Sequence, residues 1–436
     1  MNTDFIWNRL GYNIKRSLEN LNSLEMLPEK IFWEQQRNQR DKILSFHYNN
    51  TPWYKHFSGG IKTKGWDSIP IITKSDLQSF SSEFNNKKIY RGQGYYHANT
   101  SGSSGDPLLF YKNKECHAMA WAKIRKSYTD LGIIQKDIEA RFFGHVKKNI
   151  KNSIFEYIKD YVLNRYRFDV FNLTDSNFEN YIRIFNRKKI GYVYGYSNII
   201  IEFSKYILQK NLKPLKSNCP TLKLCIVTAE MCYPEDKNII EKALGVPLYQ
   251  EYGSSETSII AIQNKQFIWG CSTDRLWIEI IDDNGRSVKD GKSGRVIITD
   301  LFNRAFPFIR YDIGDIAKIQ HINKFPFLKL TELCGRKSQM IYLPSGRIAP
   351  GLTFYYVLRE VLEKSDNIKQ FIIIQKTINT FLFKIVSRNQ FTEWEKTLIV
   401  NETEKYLEPG LNIQFDACNK INQKYSGKIQ NFFSEL

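Results

Sequence analysis

A chain of 436 residues, with 42% hydrophobic and 25% charged residues, is long enough for two or three domains and argues against disorder. The net charge of +18 fits an anionic partner such as a nucleotide, an acidic glycan, nucleic acid or a membrane surface. It also fits lysines spread over a solvated surface, and the short basic clusters do not indicate a nucleic-acid binder.

The first 90 residues are predicted to be mainly helical. Apolar residues such as those of Ile31-Phe32-Trp33 stand among charged ones, and Pro52 and Pro70 interrupt the pattern.

From about residue 95 to 330 the pattern changes to short apolar strands separated by helices. Ile190–Tyr196 and Leu222–Val227 indicate buried strands, and the helix-period segments beside them are Phe178–Phe185 and Ile199–Leu208. This alternation predicts an α/β layer structure.

The last third of the chain adds two further predictions. Leu276–Ile281 and Arg295–Thr299 are β-rich and flank Asn284-Gly285, which predicts a hairpin and an antiparallel sheet beside the α/β core. After about residue 336 a compact α+β domain is expected. Its predicted strands are Phe371–Gln375, Phe381–Ser387 and Asn412–Ala417. Its predicted helix is Phe391–Leu407. We therefore expect an N-terminal domain of residues 1–336 and a C-terminal domain of residues 337–436.

Cysteine usage and the termini bear on the compartment. The seven cysteines are odd in number and no pair has two-residue spacing, which argues against a disulfide framework or a zinc ribbon. The first ten residues contain no apolar core of signal-peptide length, and no apolar run is long enough to span a bilayer. A soluble, cytoplasmic protein without a transmembrane segment is expected.

Five segments contain residues suited to catalysis or ligand binding. The first, Thr100-Ser101-Gly102-Ser103-Ser104-Gly105, is rich in hydroxyls and glycines, so its donors could approach a polyphosphate. It lacks the lysine of a P-loop and could equally be a flexible linker. The second, the motif Tyr249–Thr257 with Tyr252-Gly253-Ser254-Ser255-Glu256 at its centre, follows the start of a predicted strand, and its carboxylate suits magnesium. Alone it could be an ordinary polar loop.

The other three segments are weaker on their own. The run Phe306 to Asp315 could be a strand that ends in a Gly-Asp turn. Gly335-Arg336-Lys337-Ser338 lies at the composition break before the small domain, and Tyr425-Ser426-Gly427-Lys428 lies close to the C-terminus. A lysine in such a position is usually solvated.

Taken in order, the five segments resemble the adenylate-forming superfamily of acyl-CoA synthetases, luciferases and peptide-synthetase adenylation domains. Within it the chain looks most like the phenylacetate–coenzyme A ligase branch and its CapK-type capsule-biosynthesis relatives. Ile69–Lys74 ahead of the glycine loop, Thr228-Ala229-Glu230 after a strand, and Ile309-Arg310-Tyr311 support this branch. The resemblance covers about residues 30 to 430.

The resemblance implies specific roles in binding ATP. Thr100, Ser101, Gly102, Ser103, Ser104 and Gly105 would hold its β- and γ-phosphates, and Glu256 would hold magnesium. Tyr252 and Gly253 would lie against the adenine, with Ala229 and Glu230 in the same pocket. Asp315 would accept hydrogen bonds from the ribose hydroxyls, and Arg336 would lie near the ribose and phosphate.

Further implied roles concern the acid and the moving domain. Lys428 would stand between the substrate carboxylate and the α-phosphate, where a cation allows two anions to approach each other. Ser338 occupies the position of the hinge about which this family rotates its small domain, although many relatives have Asp or Lys there. Tyr194, Gly195, Tyr196 and Ser197 follow a buried strand and are predicted to line the acid pocket.

Two departures from this branch limit which of its properties the resemblance implies for this chain. Many members have a Cys/His cluster after the Gly-x-x-Glu element, whereas residues 261–269 contain neither, so no structural zinc is expected. The strongly basic charge is the other departure.

Three functions stay open at this point. The leading one is ATP-dependent activation of a carboxylic acid, with transfer to coenzyme A, a phosphopantetheine carrier protein, or a sugar amine or hydroxyl in surface polysaccharide biosynthesis. An aryl-CoA ligase of degradative metabolism is the second. A basic binding protein that has lost catalysis is the third, and the presence of Glu256, Asp315 and Lys428 together argues against it. The acid, its acceptor and the oligomeric state are not specified by the sequence.

Overall fold

The structure is a computed structural model that describes residues 7, 9–59, 65–86, 95–100, 108–143, 158–170, 173–336, 340–350, several positions between 353 and 367, 368–418 and 432–436. The chain forms two compact units. The first contains residues 1–278, 298–311 and 320–330, and the second contains residues 279–297, 312–319 and 331–436.

Helices dominate the N-terminal part of the first unit, as expected. They are α1 (Ile14–Glu25), α2 (Glu29–Asn50), α3 (Pro52–Phe57) and α4 (Lys74–Asn86), with a short 3-10 turn at Trp66–Ser68. The Asn13 side chain caps α1 by accepting a hydrogen bond from the Arg16 amide at 3.1 Å. Ile14 and Leu21 of α1 pack against Met119 and Ala122 of a later helix, α5 (Lys114–Asp130), so the N-terminal helices are anchored to the central layer.

A mixed sheet forms the centre of the first unit. Its strands, in spatial order, are β4 (Arg165–Arg167), β3 (Ile138–Phe142), β5 (Ile190–Tyr196), β6 (Leu224–Thr228), β7 (Leu248–Ser254), β8 (Ser258–Gln263), β9 (Trp269–Cys271) and the start of β13 (Leu328–Arg336). β4 to β7 pair in parallel, whereas β8, β9 and β13 are antiparallel. The parallel strands are joined by helices, as the α/β alternation predicts.

Helices cover both faces of the parallel strands. On one face lie α6 (Asp175–Arg187), α7 (Ser197–Gln209), the short α8 (Leu215–Asn218) and α9 (Pro234–Leu244). Phe142, Phe178, Phe203 and Ile240 belong to the large apolar cluster on that face. On the other face Tyr128 and the residues after α5 pack on β5 to β8. A small hairpin, β1 (Tyr96–Asn99) with β2 (Leu109–Lys112), precedes α5.

Three more strands are divided between the two units: β10 (Leu276–Ile281), β11 (Ser293–Asp300) and β12 (Tyr311–His321). The turn predicted at Asn284-Gly285 is present, because the Gly285 amide bonds to the Asp282 carbonyl at 3.1 Å and Gly285 has a φ of 77°. The run Phe306 to Asp315 could have ended in a Gly-Asp turn, but Gly314 and Asp315 lie inside β12. Pairing along the strand prevails over the local turn preference of Gly-Asp.

The second unit has its own sheet and core. Its sheet order is β18 (Asn412–Ala417), β17 (Thr380–Ser387), β16 (Ile368–Gln375) and β19 (Phe432–Ser434), and β14 (Met340–Tyr342) pairs with β15 (Ile348–Pro350). α10 (Glu393–Tyr406) starts with a capping box between Thr392 and Glu395. Phe383 of β17 and Ile399 of α10 belong to one apolar core. The small α+β domain is therefore confirmed in its element order.

The fold class expected from the sequence, α/β layers with a smaller α+β C-terminal part, is confirmed. The predicted division at residue 336 stays a prediction. The second unit takes in residues 279–297 and 312–319 in addition to the C-terminal part. None of the helices in the described part of the chain has the length and apolar character needed to cross a bilayer.

Candidate active site

The hydroxyl- and glycine-rich segment lies between β1 and β2 in the sequence. Thr100 and Leu108, the described residues on either side of Ser101 to Pro107, are joined by hydrogen bonds. The Thr100 amide bonds to the Leu108 carbonyl at 3.0 Å, and the Leu108 amide donates to the Thr100 hydroxyl oxygen at 2.9 Å. The Thr100 hydroxyl accepts in this bond and can therefore still donate its proton to another acceptor. The remaining predicted phosphate-binding residues, Ser101 to Gly105, lie outside the described residues. Their role, like that of Thr100, stays a prediction.

Glu256 lies in the short turn between β7 and β8, and its side chain is buried. The Tyr311 hydroxyl donates to Glu256 Oε1 at 3.2 Å. The Ser254 hydroxyl accepts the Thr257 amide at 3.1 Å, and the two hydroxyls lie 2.9 Å apart, which fixes the turn on both sides of the carboxylate. The carboxylate is thus held in one orientation at the end of a strand.

Lys112, at the end of β2, connects the hairpin to this turn. Its ammonium donates to the Ser255 carbonyl at 3.1 Å, and the side chain is buried. Burial lowers the pKa of Lys112, while nearby Asp300 and Glu256 act in the opposite direction. No motif in the sequence indicates this lysine, because its partner is 143 residues away.

Asp300 lies close to Lys112 and is fully buried with Arg275. Arg275 Nη1 bonds to Asp300 Oδ2 at 3.0 Å, the Phe302 amide bonds to Oδ1 at 3.0 Å, and the Cys116 thiol donates to Oδ2 at 3.4 Å. Removing one partner of such a buried pair leaves an uncompensated charge. We interpret Asp300 as a structural anchor of the turn region.

The two branch-specific motifs, Ile69–Lys74 and Ile309–Tyr311, are in contact. Arg310 Nη1 bonds to the Asp67 and Ile69 carbonyls at 3.0 and 2.8 Å, and the Ile72 amide bonds to the Arg310 carbonyl at 3.0 Å. Arg310 is buried and has a φ of 44°, a strained value for a residue with a side chain. These contacts hold Tyr311 in the position from which it reaches Glu256.

The residues predicted for the adenine lie at the ends of β6 and β7. Ala229 has a φ of 71°, so the chain turns sharply after Thr228. Tyr252 is buried, and a side chain at Gly253 would place its Cβ 2.6 Å from the Ser258 carbonyl oxygen. Glycine is therefore required at Gly253 by the close approach of β8.

Glu230 and Ser197 were predicted for different pockets, yet the structure brings them together. The Ser197 hydroxyl donates to the Glu230 carbonyl at 3.0 Å, and the Asn198 amide donates to Glu230 Oε2 at 3.0 Å. The Glu230 carboxylate therefore lies at the N-terminus of α7, where the helix dipole favours a negative charge.

The residues predicted for the acid pocket lie at the carboxyl end of β5. The Tyr194 hydroxyl donates to Glu251 Oε1 at 3.2 Å, and the Tyr196 ring stacks on Phe143 with centroids 4.4 Å apart. A Cβ at Gly195 would come within 2.3 Å of the Phe142 carbonyl oxygen. Sequence reasoning missed Glu251, although it lies in the Tyr249–Thr257 motif.

The remaining predicted site residues belong to the second unit. Asp315 lies in β12 and Arg336 at the end of β13, directly after Gly335, whose φ is 108°. Ser338 and Lys428 lie outside the described residues. The roles of these four residues stay predictions.

Glu256 suits a magnesium ion. Oε1 is engaged by Tyr311, and among the described residues none donates a hydrogen bond to Oε2. A protein carboxylate oxygen combined with substrate phosphates is the usual magnesium environment. Within the described ranges, no group of three or more His, Cys, Asp or Glu residues is arranged to hold a metal ion.

Comparison with known proteins identifies similar chains. Residues 353–435 match the family model of the CapK C-terminal domain. Protein CapK of Staphylococcus aureus is 22% identical over 386 residues, which is 83% of this chain and 78% of that protein. The mitochondrial acyl-coenzyme A synthetase ACSM3 of Rattus norvegicus is 25% identical over 119 residues, or 26% of this chain and 20% of the relative.

Similarity in three dimensions is more extensive. The structure of 2-hydroxyisobutyryl-CoA ligase in the postadenylation state, in complex with R3-HIB-AMP, matches with a TM-score of 0.72 and 17% identity. The match covers 94% of this chain and 91% of that chain. The chain therefore has the fold of this CoA ligase, and its residues 353–435 match the CapK C-terminal domain.

Proposed function

We propose that the protein uses ATP to activate a carboxylic acid as an acyl-adenylate, with release of pyrophosphate. The observation that carries this proposal is the contact of Lys112 with Ser255. It joins the hairpin that bears the hydroxyl and glycine segment to the turn that bears Glu256. A phosphate-binding segment and a magnesium ligand must lie on neighbouring elements to act on the same triphosphate.

The reaction transfers the adenylyl group without a covalent enzyme intermediate. A carboxylate oxygen of the acid attacks the α-phosphorus, and the bond from that phosphorus to the bridging oxygen breaks as pyrophosphate leaves. Both reactants are anions, so positioned cations and donors must lower their repulsion. Lys428 is proposed to supply the cation between the acid and the α-phosphate, and Thr100 to Gly105 the donors to the leaving phosphates.

Other residues of the chain are proposed to bind magnesium and the nucleotide. Glu256 would hold magnesium, which would neutralise the phosphates and favour departure of pyrophosphate. Tyr311 orients Glu256, and Lys112 positions the peptide before it. Tyr252, Gly253, Ala229 and Glu230 would surround the adenine, and Asp315 and Arg336 the ribose, with Ser338 as the pivot of the small domain.

The acyl-adenylate is a mixed anhydride and reacts with thiols, amines and hydroxyls. Coenzyme A, a phosphopantetheine carrier, or a sugar amine or hydroxyl of a surface polysaccharide pathway is therefore proposed as acceptor. The match to a CoA ligase supports the thiol, because that enzyme's name describes a thioester product. Incubation with each acceptor class and mass spectrometry of the products would identify it.

Pyrophosphate release tests the proposed first half-reaction. The purified chain is incubated with ATP, magnesium and a panel of aliphatic, hydroxylated and aromatic acids. We expect acid-dependent pyrophosphate and an acyl-adenylate detectable by mass spectrometry. Glu256→Gln, which removes the charge but keeps the shape, is expected to lower the rate by about a hundredfold and to raise the magnesium requirement.

Glu202→Gln is the matched control. Glu202 is an exposed carboxylate on α7, paired with Lys205 at 2.8 Å, so this change should leave the rate unaltered. Equal rates for Glu256→Gln and the control would remove Glu256 from the mechanism. The absence of pyrophosphate with every acid would favour the non-catalytic binding protein instead.

A further inference from the structure

One face of the central sheet is apolar at β6 and the start of β7 but polar towards β3. Leu224, Ile226 and Tyr249 form its apolar part. Tyr192 and Tyr194 of β5 lie in register between Leu224 and Ile226 on one side and Glu139 and Arg141 of β3 on the other. A buried polar cluster is costly unless its groups are paired or bind a ligand.

Aromatic rings form the walls of this region. The Arg141 guanidinium lies over the rings of Phe143 and Tyr194, 5.2 and 5.3 Å from their centroids, and Tyr196 stacks on Phe143. All four side chains are partly exposed to solvent. Aromatic walls with one cationic donor suit a compact or planar organic group that carries an oxygen substituent.

Hydrogen-bond partners distinguish Arg141 from its neighbours. Glu139 accepts from Arg141 Nη1 at 2.7 Å, from Arg165 Nε at 3.2 Å and from the Tyr192 hydroxyl at 2.9 Å. Arg141 Nε is buried and has no hydrogen-bond partner among the described residues. Within the described part of the chain the guanidinium therefore retains a donor without a partner, a situation that buried polar groups rarely tolerate.

Glu251 lies beside the same cluster, but its acceptors are engaged. Tyr128 donates to Oε2 at 2.9 Å and Tyr194 to Oε1 at 3.2 Å. Burial raises the pKa of Glu251, and Arg141 and the two hydroxyls act against that shift. The cluster consequently offers a ligand donors rather than acceptors.

We propose that Arg141 selects the acid: the acyl group has a second oxygen substituent, such as a hydroxyl, an oxo group or another carboxylate, which accepts a hydrogen bond from Arg141. This inference rests on the proposed function and makes its acid pocket more specific. An alkyl or unsubstituted phenyl acid would leave the guanidinium donor desolvated and unpaired, which a site built for a polar group rejects strongly.

Matched pairs of acids test the proposal: propionate with lactate, and benzoate with 4-hydroxybenzoate, plus succinate. Wild-type protein is expected to prefer an oxygenated acid by about tenfold or more in kcat/KM for pyrophosphate release, since a hydrogen bond to a charged group is commonly worth that factor. Arg141→Met should remove this preference through a higher KM for the oxygenated acid, with the KM for ATP unchanged. Glu139 keeps Arg165 and Tyr192 as partners in this variant.

Arg167→Met is the control. Arg167 lies on the neighbouring strand β4 and is paired with Asp160 through two bonds of 2.9 Å, so its loss should not alter acid preference. Arg141→Lys, which keeps the charge without the planar fork, should give an intermediate preference and covers the case in which the methionine variant does not fold. An equal loss with both members of a pair, or a wild-type preference for the unsubstituted acid, would overturn the inference.

Direct binding separates this inference from the proposed function. Calorimetry with the same acids, without ATP, should show tighter binding of the oxygenated member and loss of that difference in Arg141→Met. This result together with no pyrophosphate from any acid would contradict the adenylation proposal alone. Pyrophosphate release with equal affinity for both members of each pair would contradict the role of Arg141 alone.

Discussion

At the scale of single residues, buried cations organise the candidate site. Lys112 and Arg310 bond to backbone carbonyls, of Ser255 in one case and of Asp67 and Ile69 in the other, and Arg275 bonds to Asp300. Burying a charge is costly, and hydrogen bonds and an opposite charge nearby offset that cost. A cation that binds a carbonyl also fixes the peptide, so Lys112 and Arg310 each hold a loop in place.

His47 provides a stability prediction at the same scale. The ring is buried, with Nε2 2.8 Å from the Asn303 carbonyl and Nδ1 2.9 Å from the Thr51 hydroxyl. Nε2 must therefore donate its proton to the carbonyl, and Nδ1 accepts from Thr51, which is the neutral form. Burial lowers the pKa of His47 to about 4, although Asn303 and Asp300 act in the opposite direction.

The unfolded chain binds a proton at His47 near pH 6.5, whereas the folded chain does so only near pH 4. Stability from this residue is therefore complete above pH 6.5 and is lost as the pH falls from 6.5 to 4. A shift of this size corresponds to about 3 kcal/mol. His47→Gln is expected to flatten the pH dependence of the unfolding free energy over this range, as measured by urea titration at pH 7 and pH 4.5. An unchanged slope would show that His47 is not buried as a neutral ring.

At the scale of elements, close strand packing depends on single glycines. β3 and β5 pair in parallel, with Phe142 opposite Gly195. A Cβ at Gly195 would lie 2.3 Å from the Phe142 carbonyl oxygen and 2.5 Å from the Phe142 Cβ. Neither the backbone oxygen nor the first side-chain carbon can move away independently of the strand, so a substitution must separate the two strands.

Gly195→Ala is therefore expected to destabilise the first unit by about 1–3 kcal/mol, the usual range for overpacking. Gly195→Val should cost more, because the added volume points into the same contact. Denaturant unfolding of both variants beside the wild type measures the effect. If the valine variant were no less stable than the alanine variant, steric contact with Phe142 would not be the reason for glycine at this position.

Elements with strong local patterns were predictable from sequence. The apolar run Ile190–Tyr196 and the alternating Asn412–Ala417 match β5 and β18 in their bounds. The position of Gly314 and Asp315 inside β12 was not, because Gly-Asp favours a turn locally and Gly314 keeps a φ of 80° within the strand. Contacts between distant segments, such as Lys112 with Ser255 and Arg310 with Ile69, leave no periodic signal in one sequence. Motif order gives the predicted site residues, whose roles stay predictions, and tertiary contacts show which residues hold the described ones in place.

At the scale of the whole molecule, the predicted site residues are divided between two compact units. Glu256, Tyr252 and Glu230 belong to the first, whereas Asp315, Arg336 and Lys428 belong to the second. Each unit has its own apolar core, which in the second includes residues of β16, β17 and α10.

A substitution of Lys428 tests the role proposed for this residue in adenylate formation. The second unit gains its stability from apolar residues such as Phe383 and Ile399 and from the capping box of α10, so removing one lysine side chain should leave it folded. Lys428→Ala is expected to lower acid-dependent pyrophosphate release by at least about a hundredfold, because the carboxylate and the α-phosphate then approach without a cation between them. Transfer from a supplied acyl-adenylate to the acceptor should continue, since the acceptor attacks the acyl carbonyl carbon and no carboxylate has to approach the α-phosphate. Lys384→Ala, at an exposed lysine of β17 beside Asp416, should leave both half-reactions unchanged. Circular dichroism and thermal unfolding check the fold of both variants, and pyrophosphate release near the wild-type rate in Lys428→Ala would mean that another group brings the two anions together.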